Sequence, residues 1–135
     1  VAAPLTVLIV DDEVDVRRLV RFNLELDRRF QVVGDVESGE LAVVSVRKNR
    51  PDVVVLDMMM PGMNGGEVLA QIRRFSPNTK VVMYSAASVA ACEYLTAHGA
   101  DLYLPKTTQI VELSDQIANL EGAGRVIPPP AEGLL

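Results

Sequence analysis

The sequence predicts an α/β fold, a (βα)5 doubly wound sheet of five parallel strands with helices on both faces. Apolar, strand-like runs alternate five times with segments of helical period, the pattern of a parallel sheet covered on both sides. Turn-forming residues fall between these segments, at Ser38-Gly39, Pro51-Asp52, Pro61-Gly62, Ser76-Pro77-Asn78 and His98-Gly99, so the connections are short.

The first strand is 5–10, the run Leu5-Thr6-Val7-Leu8-Ile9-Val10. A helix over 14–28 follows, because Val16, Leu19, Val20 and Leu24 recur at helical spacing. A second strand, 31–36, leads through Ser38-Gly39 into a helix over 38–48. Pro51-Asp52 separates that helix from strand 53–57, whose run is Val53-Val54-Val55-Leu56. Pro61-Gly62 precedes a helix over 65–74, and Ser76-Pro77-Asn78 precedes strand 80–85. The next helix, 87–98, is apolar nearly all round, with Glu93 the single charge between Ala86 and Ala97. Such a helix is either deeply buried or a partner surface. Gly99 fits a left-handed helix stop, and His98 beside it suits the negative end of the helix dipole. Strand 101–105 follows, then a helix over 107–121 marked by Ile110, Leu113, Ile117 and Leu120.

These elements make one domain, 1–121. Residues 122–135 lose helical period and gain Gly and Pro, so they read as a tail or the stump of a linker. With 135 residues, nearly half of them hydrophobic, the chain can bury a sizeable core. A net charge of −5 and the absence of a dense basic run argue against a nucleic-acid surface and favour protein partners. The single Cys92 cannot form an internal disulfide and reads as a small helical residue. No apolar run reaches the roughly 18 residues that span a bilayer, and no signal segment opens the chain, so cytoplasmic residence is expected.

Chemistry is concentrated where the apolar runs stop. Asp11 and Asp12 follow the first run, Asp57 follows Val53-Val54-Val55-Leu56, and Lys106 follows Leu102-Tyr103-Leu104-Pro105. In open parallel sheets the carboxyl ends of the strands form the ligand-binding edge, so three carboxylates converge there. Two carboxylates about 5 Å apart repel by roughly 3 kcal/mol at an effective dielectric near 20. One lysine cannot offset three. Oxygen-only donors suit magnesium, which takes one or two carboxylates and a phosphate oxygen. The expected ligands are therefore Mg2+ and a phosphoryl group.

Asp11-Asp12, the segment Asp57-Met58-Met59-Met60-Pro61-Gly62-Met63-Asn64-Gly65, Ser85-Ala86 and Gly99-Ala100-Asp101-Leu102-Tyr103-Leu104-Pro105-Lys106 together resemble the receiver domain of two-component response regulators, over about residues 5–121. The resemblance implies the flavodoxin-like strand order 2-1-3-4-5. It implies that Asp57 is the phospho-acceptor, taking its phosphoryl group from the phosphohistidine of a sensor histidine kinase. Asp12, Asp57 and the Met59 backbone carbonyl would bind magnesium, with Asp11 acting through water. Lys106, the Ser85 hydroxyl and the Ala86 amide would hold the phosphoryl group. Ser85 and Tyr103 would be the switch, and helix 4, strand 5 and helix 5 would present a partner or homodimer surface.

Two departures from the family pattern stand out. Thr107 replaces the usual proline after the lysine, so the Lys106–Thr107 bond is either trans or strained. Met59 and Ala87 occupy the positions that flank the hydrolytic water, and neither can orient water, which predicts slow self-dephosphorylation. The plainer readings are that Asp12 caps the first helix, and that Met58, Met59, Met60 and Met63 are packing residues, sulfur being a poor ligand for magnesium. A haloacid-dehalogenase-like phosphatase would need a second Asp where Met59 stands. A flavodoxin-like cofactor module would need a phosphate loop where Asp11-Asp12-Glu13 would repel phosphate. An unphosphorylated docking or dimerisation module is the remaining alternative.

Overall fold

The computed structural model of the chain describes residues 3–125. Within them strands and helices alternate as β1 (Leu5–Val10), α1 (Val14–Glu25), β2 (Phe30–Val36), α2 (Gly39–Asn49), β3 (Val53–Leu56), α3 (Gly65–Phe75), β4 (Lys80–Ser85), α4 (Val89–Ala97), β5 (Leu102–Pro105) and α5 (Ile110–Arg125). All neighbouring strands are parallel, in the order β2-β1-β3-β4-β5. The winding reverses between β1 and β3, and a crevice opens beyond the carboxyl ends of strands at such a point.

Alternation along the strands divides the core in two. Leu8, Val10, Val54, Leu56, Val81 and Met83 face α2, α3 and α4, where Ala42, Val46, Val68, Leu69, Ile72 and Leu95 meet them. Val7, Ile9, Val53, Val55, Val82 and Tyr84 face α1 and α5, packing on Val20, Leu24, Leu113 and Ile117. Each of these Val, Leu, Ile and Met side chains contributes about 1.5–3 kcal/mol by leaving water. β3 is buried along all four residues, which is why its run is uninterruptedly apolar.

Several boundaries shift for local reasons. α1 stops at Glu25 and not at 28, because Asp27 N–H bonds back to Leu24 O and the Asp27 carboxylate accepts from Arg29 N–H at 3.0 Å, closing a turn before β2. α4 begins at Val89, where the Ser88 hydroxyl caps it by accepting from Ala91 N–H. α5 begins at Ile110 and not at 107, since Thr108 N–H bonds Pro105 O in a turn. α5 continues to Arg125, past the expected end at 121. The expected tail lies outside the described residues from 126 onward.

The Lys106–Thr107 bond is trans, as are the other described peptide bonds. His98 takes the C-cap position of α4, with Nδ1 2.7 Å from Tyr94 O and its ring stacked on Tyr94, and Gly99 follows at a φ of 114°. α4 is not deeply buried: Leu95 is covered, but Val89 is 69% and Tyr94 60% exposed. Its apolar composition therefore faces outward.

Candidate functional site

The site is built on the sheet's own hydrogen bonds. Asp11 N–H bonds Val36 O at 3.1 Å, Asp57 N–H bonds Val10 O at 3.0 Å, and Lys106 N–H bonds Ser85 O at 3.1 Å. Each residue lies one step beyond a strand and extends the ladder by one bond, so its side chain leaves the carboxyl edge from a fixed backbone. The loop after Asp57 folds back on it: Gly65 N–H bonds Met58 O, and a Cβ at Gly65 would stand 2.5 Å from Met58 Cα and 2.8 Å from Asp57 O. Only glycine permits that approach without displacing backbone. Asn64 and Glu67 then close a capping box that starts α3.

Carboxylate oxygens of Asp11, Asp12 and Asp57 come within 4.8 Å of one another. Asp11 and Asp57 are 3% and 4% exposed, whereas Asp12 is open to solvent. Lys106 Nζ lies 2.7 Å from Asp11 Oδ2, 3.0 Å from Glu13 Oε1 and 3.4 Å from Asp57 Oδ2. Asp57 Oδ1 accepts from the Ser85 hydroxyl at 2.9 Å and from Met59 N–H at 3.1 Å. Asp11 Oδ1 accepts from Glu13 N–H at 2.9 Å.

Burial and charge act unequally on the two partners of the central ion pair. At Asp11, burial raises the pKa and the nearby Asp57 charge adds to it, together outweighing the lowering by Lys106 and the Glu13 N–H. At Lys106, burial alone would lower the pKa, but the hydrogen bonds to Asp11 and Glu13 and the charges of Asp57 and Asp11 raise it well above its ordinary value. The lysine is firmly cationic, and the edge remains short of positive charge.

Asp11, Asp12, Asp57, Lys106 and Ser85 thus meet as the sequence predicts. Ala86 is exposed directly after β4. Met59 is 61% exposed, while Met60 is buried and Met58 and Met63 pack on the core facing α2 and α3. Asp12 does not cap α1, whose N-cap position belongs to Glu13 and carries no side-chain cap bond. Tyr103 is partly buried, its hydroxyl 3.4 Å from Ala87 O, and Ala87 N–H donates to Ser85 Oγ at 3.2 Å. With Val89, Glu93, Thr96 and Ala97, Tyr103 lines a groove of about 450 Å³ between α4 and β5.

Sequence reasoning missed two participants. Glu13 binds the same lysine, and Arg17 donates to Asp11 O at 2.8 Å while paired with Asp35. Glu13 could have been found from its place two residues after Asp11 in one acidic run.

The donor set fits a hard divalent cation. All three converging side chains offer oxygen, and the Lys106 ammonium is shared by Asp11, Glu13 and Asp57.

Residues 7–118 match the family described as the response regulator receiver domain. The chain belongs to that family. As a receiver, it has Lys106 beside an acidic pocket of Asp11, Asp12 and Asp57, the arrangement typical of phospho-accepting sites, and the family implies a histidine kinase partner. It is 34% identical over 114 residues to a protein-glutamate methylesterase/protein-glutamine glutaminase of Azospirillum brasilense, covering 82% of this chain and 29% of that protein. It is 44% identical over 82 residues to the chemotaxis protein CheY of Listeria monocytogenes, covering 61% of this chain and 68% of that one. A signal receiver domain from Mycobacterium tuberculosis superposes with a TM-score of 0.83 at 30% identity, covering 90% of this chain and 98% of that domain. The chain spans about a third of the length of the methylesterase relatives it matches. No helix among the described residues is long and apolar enough to cross a membrane.

Proposed function

We propose that Asp57 accepts a phosphoryl group from the phosphohistidine of a sensor histidine kinase, in a magnesium-dependent reaction on a receiver domain spanning residues 1–121, with 122–135 a tail or linker. The observation that carries this reading is the buried Asp57 carboxylate, which shares one lysine with Asp11 and Glu13 inside a cluster of converging oxygens.

With Oδ1 engaged by Ser85 and Met59 N–H, Asp57 Oδ2 is the nucleophile facing Lys106. Its oxygen forms a bond to phosphorus as the bond from phosphorus to the imidazole nitrogen breaks, and the imidazole keeps the electron pair. In phosphoryl transfer the protein mainly positions groups and stabilises charge on the equatorial oxygens. Lys106 supplies one positive charge there. Asp11, Asp12, Asp57 and the Met59 carbonyl would hold magnesium, which would supply the remaining positive charge. The Ala86 amide and the Ser85 hydroxyl donate to the phosphoryl oxygens.

Ser85 connects the site to a surface. Its hydroxyl is committed to Asp57 and accepts from Ala87 N–H, and Ala87 O accepts from Tyr103. Moving the Ser85 donor onto a phosphoryl oxygen shifts the β4–α4 loop and, through it, Tyr103 at the groove between α4 and β5. The phosphoryl group favours the shifted state by contacts it makes only there, and the face formed by α4, β5 and α5 becomes the output or dimerisation surface. The acceptor is spent once per cycle, so the domain is a switch and not a turnover enzyme. With Met59 and Ala87 flanking the site, loss of the phosphoryl group is slow.

Incubation with acetyl phosphate and magnesium tests this by intact mass. The native chain gains one phosphoryl group and Asp57→Asn gains none. A gain that persists in the variant moves the acceptor elsewhere, and no gain in either protein favours an unphosphorylated docking module.

A further inference from the structure

We propose that Glu13 is a positioning residue: it holds Lys106 when the lysine gives up Asp11 to a divalent cation, and thereby eases loading of the metal. This rests on the magnesium reading above.

Two cations compete for one carboxylate. Lys106 Nζ makes its shortest contact, 2.7 Å, to Asp11 Oδ2, and Asp11 is one of the three acids whose oxygens converge. The ammonium is therefore the resident counter-charge of the same carboxylates that would hold the metal. An ammonium in contact with Asp11 and a divalent cation on the same carboxylate repel strongly in a buried site. Loading thus removes Lys106 from Asp11.

A lysine expelled without a new partner would lose an ion pair and move toward solvent, away from the phosphoryl position. Glu13 prevents this. Its carboxylate is already 3.0 Å from Nζ, it is 63% exposed, and it lies outside the converging triad. Its backbone is tied to the site, because Glu13 N–H donates to Asp11 Oδ1 at 2.9 Å. Glu13 shares the ammonium with two other acids when the metal is absent. Once Asp11 and Asp57 engage a metal, Glu13 becomes the main anion left to it. The Glu13–Lys106 contact is therefore stronger in the loaded state, and that difference favours loading.

A simpler role would be that of one more negative charge near the metal. Calorimetric titration of magnesium alone into the native chain, Glu13→Gln, Lys106→Met and the double variant separates the two. Glu13→Gln is expected to weaken magnesium binding about threefold in the native background, the scale of an exposed ion pair. In the Lys106→Met background the same change should have almost no effect, and Glu13→Asp should recover part of the loss. An equal weakening in both backgrounds, or none in the native one, overturns the proposal. Should Lys106→Met fail to fold, shown by circular dichroism, Lys106→Gln takes its place. A native chain that binds no magnesium overturns the metal reading itself, whereas binding without coupling between Glu13 and Lys106 overturns only the role given to Glu13.

Discussion

At the amino end of the sheet, Asp52 accepts from Thr6 N–H and Thr6 Oγ1, and Thr6 Oγ1 in turn accepts from Asp52 N–H. Asp101 receives Arg73 at 2.7 Å and Val81 N–H at 2.8 Å, while Arg73 also donates to Gly99 O and Thr79 O. Thr79 donates to Pro51 O and pairs with Ser76. At the carboxyl end, Asp11, Glu13 and Asp57 share the Lys106 ammonium, and Asp12 converges on two of them without contacting it. Both edges are polar closures of the same sheet. One ties Asp52 and Asp101 to hydrogen-bond donors on neighbouring strands and helices; the other is left with excess negative charge, which makes it receptive to a cation.

If that contrast is right, removing a positive charge should cost most where positive charge is scarcest. Lys106→Met should destabilise the magnesium-free protein by about 3 kcal/mol, because buried acids lose their counter-charge, and added magnesium should restore part of the loss in thermal melts. At the matched edge, Asp101→Ala should cost about 2 kcal/mol by leaving Val81 N–H unpaired and removing the Arg73 ion pair, with no response to magnesium, as urea unfolding would show.

The acids of the two edges should respond with opposite sign. Asp11→Asn should stabilise the magnesium-free protein, since burial and Asp57 oppose the Asp11 charge. Folding raises the Asp11 pKa above its ordinary 3.8, so this group favours folding below pH 3.8 and that contribution is lost as pH rises through the folded value. The advantage of Asp11→Asn over the native chain should accordingly grow with pH across that window. The smallest effect belongs to a pair at neither edge: Glu25→Gln, which removes the exposed contact to Arg21, should change stability by no more than about 0.5 kcal/mol in the same melts.

Much of this was legible in the sequence, for identifiable reasons. β3 announced itself because a strand covered on both faces must be apolar throughout, and Asp57 was conspicuous as the first charge after it. Asp11 and Lys106 stood out in the same way. The expected helix runs on to 28 because Leu26 and Arg28 are compatible with helix, whereas the turn that ends α1 depends on the Asp27 carboxylate accepting from Arg29 N–H. The expected start of α5 at 107 falls early because the turn from Pro105 to Thr108 carries no Gly signal. Composition leaves α4 open between burial and an interface, since an apolar helix satisfies either; the exposure of Val89 and Tyr94 excludes deep burial. The acidic run places Glu13 beside the site, but its contact with Lys106, 93 residues away, is not encoded in the pattern of strands and helices.

Asp12 offers the most direct test of an edge completed by a cation, because it is exposed, makes no cap bond to α1 and can be removed without disturbing the core. Calorimetric titration should show one saturable magnesium site in the native chain and binding at least about tenfold weaker in Asp12→Ala, with the fold unchanged. Equal magnesium affinity in the two proteins would contradict the account.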